Sequence, residues 1–224
     1  MLRKRLLGII VLACFIVACG NPKNDNKQDV VNADNKTEQP STLKNILFFG
    51  TSLTAGYGLD PSEAYPALIQ NRIDSLKLPY KVINAGLSGE TTAGGKGRID
   101  WLLKQKIDIF VLELGANDAL RGIAVADATK NLQFIIDQVK KMYPNAKMVL
   151  AGMQAPPNMG ITYANDFKDM FPKLAAKNNM VLIPFLLDKV GGVAELNQKD
   201  GIHPTAEGGK ILAENVWVKL KDLL

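Results

Sequence analysis

Histidine occurs once in these 224 residues and cysteine twice. Metal centres built on imidazole or thiolate need more ligands than that. No cluster of closely spaced carboxylates replaces them, so metal catalysis is excluded and no cofactor is expected. Both cysteines, Cys14 and Cys19, fall in the first nineteen residues. Past Cys19 the chain therefore offers neither a disulfide nor a reactive thiol. Acidic residues are absent before Asp25, while Arg3, Lys4 and Arg5 crowd the start. Without those three, the net charge of +5 becomes +2. No run of basic residues interleaved with aromatics occurs elsewhere, which argues against a nucleic-acid partner. Internal repeats are also missing. The glycine-rich stretch "GLSGETTAGGKGR" is not a phosphate cradle of the Gly-x-x-x-x-Gly-Lys-Ser/Thr type. Glu90 stands at the first glycine position relative to Lys96, and Gly97 replaces the hydroxyl residue.

What is present at the start is a targeting pattern. "MLRKR" is a basic leader, and "LLGIIVLACFIVA" is an apolar run too short to span a bilayer comfortably. Ile16-Val17-Ala18-Cys19 resembles a bacterial lipobox. Residues 1–19 are then a lipoprotein signal peptide, Cys14 is discarded with it, and Cys19 carries the lipid. A plain secretory signal that happens to contain cysteine is the competing reading. Two or three acyl chains on Cys19 would anchor the protein stably to a membrane of the cell envelope. Residues 20–42 are rich in Asn, Asp, Lys and Gln. With almost nothing to bury, they are expected to form a disordered polar tether.

From residue 43 to 224, short apolar runs alternate with segments of helical period. "NILFF" (Asn45–Phe49), "YKVINA" (Tyr80–Ala85), "IDIFVLEL" (Ile107–Leu114), "KMVLAG" (Lys147–Gly152) and "MVLIP" (Met180–Pro184) read as strands covered on both faces. Helices are expected at Ala64–Leu76, around Gly97–Lys104, across Leu132–Tyr143, around Asn165–Lys177 and from about Ala206 to Leu223. The Leu132–Tyr143 segment carries an apolar stripe at steps of three and four. Five alternations predict an α/β fold of three layers. The sheet is flavodoxin-like, with five parallel strands in the order 2-1-3-4-5. Ligands in such sheets bind where the carboxyl ends of strands 1 and 3 part.

Candidate chemistry lies in the loops that open there. "GTSLT" (Gly50–Thr54) follows strand 1, "NAGLSGETTAGG" (Asn84–Gly95) follows strand 2, and "GAND" (Gly115–Asp118) follows strand 3. "KDGIHPTAEG" (Lys199–Gly208), with the sole histidine, follows strand 5. Each member alone has a bland explanation. Ser52 could cap a helix, Gly86 could be a turn glycine, and Asn117-Asp118 is common turn chemistry. Asp200 and His203 could sit at the surface. The ordered set is sharper than any member. A serine hydroxyl needs a base, and histidine is the side chain suited to that role near neutrality. The three-residue spacing lets Asp200 accept from Nδ1 of His203, leaving Nε2 for Ser52. Pro204 restricts His203 to extended backbone.

Four blocks, "FFGTSLTAGYGLDPSEAYPALI", "INAGLSGETTAGG", "LELGANDALRG" and "DGIHPTAEG", resemble those of the SGNH branch of the GDSL hydrolases. The bacterial thioesterase, arylesterase and lysophospholipase group is the nearest in pattern. The resemblance implies a serine esterase with catalytic Ser52, Asp200 and His203, acting through an acyl-enzyme. It assigns the oxyanion hole to the Ser52 and Gly86 N–H groups and the Asn117 amide. Thr51 departs from the pattern, since the family usually has aspartate there; activity is expected to survive, but the geometry of the nucleophile turn is open.

The implied substrates are carboxylic esters, aryl esters, thioesters and lysophospholipids. An export signal argues against cytosolic acyl-CoA as the natural one. Carbohydrate O-acetyl esters are the alternative. A lipid-anchored binding protein that kept the fold without the chemistry is the alternative of another class. No obligate protein partner is expected. The loops Met153–Asn165 and Pro184–Val193 are apolar enough to build an acyl pocket, or else Met153, Phe185 and Leu186 simply pack beneath them.

Overall fold

The computed structural model describes residues 43–224. The signal peptide, the Cys19 lipidation point and the 20–42 tether lie outside the described residues.

Strands β1 (Lys44–Gly50), β2 (Tyr80–Gly86), β3 (Ile109–Glu113), β4 (Lys147–Ala151) and β5 (Val181–Ile183) form one sheet. All neighbours are parallel, in the order β2-β1-β3-β4-β5. The continuous apolar runs explain the two central strands. Ile46 to Phe49 and Ile109 to Leu112 are all buried, because helices cover both faces of the sheet.

The helices are α1 (Ser52–Ala55), α2 (Tyr65–Ser75), α3 (Thr92–Leu102), α4 (Ala116–Leu120), α5 (Val125–Met142), α6 (Ile161–Asn178) and α7 (Ala206–Leu220). α2 packs with α7, while α3, α5 and α6 pack in a row, as right-handed crossovers in this strand order require. The stripe on α5 is the clearest link from sequence to packing. Leu132, Ile135, Ile136 and Val139 are fully buried, each stabilising the fold by about 1.5–3 kcal/mol relative to an exposed position.

Several boundaries differ from expectation. α3 begins at Thr92 rather than near Gly97, so half of the glycine-rich "loop" is helix. Thr91 caps it, its side chain accepting from Gly94 N. Gly95 lets α3 approach the sheet closely, since a Cβ would stand 2.5 Å from Leu114 Cδ1 and 3.2 Å from Phe49 Cζ. α1 and α4, four and five residues long, lie at the ends of β1 and β3, where the two loops of interest were expected. β3 ends at Glu113 rather than Leu114, just before Gly115 turns the chain with φ of +119°.

Candidate active site

The carboxyl ends of β1 and β3 are neighbours, with Gly50 in register with Glu113. β1 delivers Ser52 as the first residue of α1. Thr51 is its N-cap and accepts, at 3.4 Å, from Leu53 N. Ser52 is buried, yet its hydroxyl reaches the sole histidine. Ser52 Oγ–H donates to His203 Nε2 over 2.9 Å, across 151 residues of chain.

The loop after β5 presents that imidazole. His203 Nδ1–H donates to Asp200 Oδ2 at 2.7 Å. The other carboxylate oxygen accepts from Ile202 N at 2.9 Å and His203 N at 3.0 Å. One aspartate thus shapes the turn and orients the ring it carries. The His203 ring bond, then the two backbone bonds, pull the Asp200 carboxyl down to about 2. Asp200 stays an acceptor at any pH where the imidazole can act as a base.

Gln198 braces the same loop, a role that sequence reasoning missed. Its amide donates to Tyr57 O at 2.7 Å and Pro204 O at 2.9 Å, and its N–H donates to His203 O at 2.7 Å. Tyr57 lies against the imidazole with ring centroids 4.6 Å apart.

Asn117 stands on the first turn of α4 and lines the same cleft. One amide hydrogen donates to Glu90 O at 3.0 Å, which orients the group and leaves a second hydrogen. Glu90 is held in turn by Arg98. Nε donates to Oε1 at 2.9 Å and Nη2 to Oε2 at 2.5 Å. Nη2 also donates to Ala85 O, and the guanidinium lies over the Phe49 ring. Asp118, which looked like turn chemistry, is fully buried and accepts from Thr92 N and Thr92 Oγ1. It fastens α3 to α4.

Gly86 requires a correction. Its N–H donates to Asn84 Oδ1 at 2.9 Å, so it is not free for an oxyanion. Glycine is needed there for packing, since a Cβ would lie 2.2 Å from Ala55 N. Three residues on, Gly89 does line the cleft with Ser52, Asn117 and His203. Its φ of +78° favours glycine. Neither the Gly89 N–H nor the Ser52 N–H finds an acceptor among the described residues. Both glycines sit in "GLSG", and nothing local in that string distinguishes them.

The cleft encloses about 230 Å³. Leu53, Tyr57, Leu120, Met153, Leu187 and Ile202 supply its apolar wall. The two apolar loops therefore divide: Met153 and Leu187 face the cleft, whereas Leu186 is fully buried. A larger open groove of about 660 Å³ runs between α5 and α6, without any residue of the Ser52 constellation.

Comparison with known proteins agrees with this geometry. A family model described as "GDSL-like Lipase/Acylhydrolase family" matches residues 48–211. The chain is 41% identical over 187 residues to a Pseudomonas aeruginosa protein named Esterase TesA, covering 83% of this chain and 92% of that one. It is 34% identical over 189 residues to an Escherichia coli protein named Thioesterase 1/protease 1/lysophospholipase L1, covering 84% and 88%. A crystal structure of TesA superposes with a TM-score of 0.77 at 41% identity, covering 81% of this chain and all of that one.

Proposed function

The chain belongs to the GDSL-like lipase/acylhydrolase family, and from that premise we propose that it is a serine esterase acting on carboxylic esters and thioesters with apolar acyl or aryl groups. The observation that carries this reading is the continuous line from Asp200 Oδ2 through His203 to Ser52 Oγ, with links of 2.7 and 2.9 Å. His203 removes the Ser52 proton as Oγ attacks the carbonyl carbon, and Asp200 holds the tautomer and stabilises the imidazolium. The tetrahedral oxyanion is met by the second Asn117 amide hydrogen and by the Ser52 and Gly89 N–H groups. His203 then returns the proton to the leaving alcohol or thiol, giving an acyl-enzyme. Water, activated by the same imidazole, hydrolyses it. The apolar wall of the cleft favours acyl chains over acetylated sugars.

The proposal extends to location. Cys19 carries a lipid anchor, residues 20–42 tether the domain, and the enzyme meets its substrates at the cell envelope. The basic leader, the short apolar run and the lipobox-like Ile16-Val17-Ala18-Cys19 support this. A Cys19→Ser variant should lose membrane association in detergent partition; persistence in the membrane fraction would contradict the anchor.

Turnover of nitrophenyl acetate, octanoate and palmitate, an acetylated sugar and a lysophospholipid tests the enzymatic reading. Hydrolysis of the acyl esters, abolished in Ser52→Ala, is expected. Absence of turnover across the panel would support a binding protein instead.

A further inference from the structure

Glu113 is the one acidic residue in a strand of apolar side chains, and it is completely buried. The mechanism above makes no use of it. Its surroundings are specific. Oε2 accepts from Thr51 N at 2.8 Å and from Thr54 Oγ1 at 2.8 Å. Thr51 Oγ1–H points at the same carboxylate, 3.0 Å from Oε1 and 3.1 Å from Oε2. Because Thr54 spends its only hydrogen on Glu113, the 2.8 Å contact with Tyr65 is donated by the Tyr65 hydroxyl. One carboxylate therefore grips the residue before the nucleophile and the residue two after it.

Gly50 makes the grip possible. A Cβ there would fall 2.1 Å from Thr54 Oγ1 and 2.5 Å from Glu113 Oε2. Each letter of "GTSLT" around Ser52 acquires a reason: glycine for approach, two threonines for donors, and Leu53 on the cleft wall.

We infer that Glu113 is a positioning residue for the esterase reaction, holding Thr51 and Thr54 so that Ser52 Oγ stays in line with His203 Nε2. The inference rests on the esterase reading and adds to it. Thr51 is suited to this partner because its hydroxyl donates to the carboxylate while its oxygen accepts from Leu53 N. The clamp works through acceptor geometry rather than through negative charge at the reacting atoms. Burial pushes the Glu113 carboxyl up to about 7, against the hydrogen bonds from Thr51 and Thr54. The neutral form still fits, since a proton on Oε1 can be donated to Thr51 Oγ1. A glutamine amide can keep these contacts, its Oε1 accepting from Thr51 N and Thr54 Oγ1 and its Nε2 donating to Thr51 Oγ1.

Glu113→Met, Glu113→Gln and Thr54→Val test this, with reactive serines counted by fluorophosphonate titration so that kcat refers to competent sites. In Glu113→Met, kcat should fall about 10²-fold with KM within about twofold, as expected for a displaced reacting group. Glu113→Gln should restore kcat to within about threefold of the parent, because its amide keeps the two accepted bonds and links to Thr51 Oγ1 as a donor. Thr54→Val, which removes the donor to Glu113 and the acceptor of the Tyr65 hydroxyl at nearly constant volume, should lower kcat about five- to tenfold. Parental kcat in folded Glu113→Met would overturn the inference. If that variant does not fold, parental kcat in Thr54→Val does so instead. An inactive parent enzyme is a separate result, and it would overturn the esterase reading.

Discussion

The two ends of the Ser52–His203 hydrogen bond are held in opposite ways. The serine end is buried. Ser52, Thr51, Thr54 and Glu113 are all shielded from solvent, and the carboxylate that braces them comes from the neighbouring central strand. The histidine end lies at the surface. Asp200 braces it from three residues away, and the side chain of Asp200 is 38% exposed. Gln198 and the Tyr57 ring complete the support. The nucleophile is thus fixed by the core, and the base by a surface turn braced against Tyr57. Damage at the first end should reach folding as well as rate; damage at the second should reach rate far more than folding.

The largest expected effect tests whether the two ends act as one unit. Ser52→Ala and His203→Ala should each lower kcat on the order of 10⁶-fold, and the double variant scarcely further, since residues acting together are not additive. Additive losses in steady-state kinetics would separate the two ends. Asp200→Asn should cost about 10⁴-fold in kcat by leaving the imidazole in the wrong tautomer. At neutral pH its melting temperature should fall only slightly, because the turn is exposed and solvent screens the Asp200 bonds.

Asn117→Ala should lower kcat about 10²–10³-fold with a smaller change in KM. Unchanged kcat would remove Asn117 from the oxyanion site. Gln198→Ala should reduce kcat only about five- to tenfold, again with little loss of thermal stability. A large drop in melting temperature would show that the histidine loop is part of the core after all.

The smallest effect concerns pH, and the two carboxyls should differ in sign. Asp200 is lowered from 3.8 to about 2 in the folded protein. Its stabilisation is present above about pH 4 and lost as pH falls towards 2. Glu113 is raised from 4.5 to about 7. The folded state then binds its proton more tightly, so its contribution is greatest below about pH 4.5 and is lost as pH rises through 7. Glu113→Gln should gain stability relative to the parent between pH 5 and 8, measured by thermal melting. Asp200→Asn should lose ground relative to the parent as pH rises from 2 to 4.

The same contrast describes what could be read from the chain. Asp200 and His203 are three residues apart, and their turn is local, so spacing alone suggested the pairing. The strands were legible because central parallel strands are continuously apolar, as Ile46–Phe49 and Ile109–Leu112 are. α1 and α4 were not, because four or five residues cannot display a helical period. The Glu113 clamp joins positions 59 to 62 residues apart, and no local pattern announces such a contact. Its one visible sign is a charged residue inside "IFVLELG". The choice between Gly86 and Gly89 was closed to sequence for a related reason. It depends on the Gly86 N–H being spent on Asn84 Oδ1 while Gly89 lines the cleft, which only the fold reveals.

The most direct measurement is the rate and site of fluorophosphonate labelling, read by mass spectrometry of the intact protein and its peptides. The account predicts one adduct per chain, located on Ser52, formed at least about 10³-fold more slowly in His203→Ala, where no base takes the hydroxyl proton. An adduct on another residue, or labelling of Ser52 at the parental rate without His203, would contradict it.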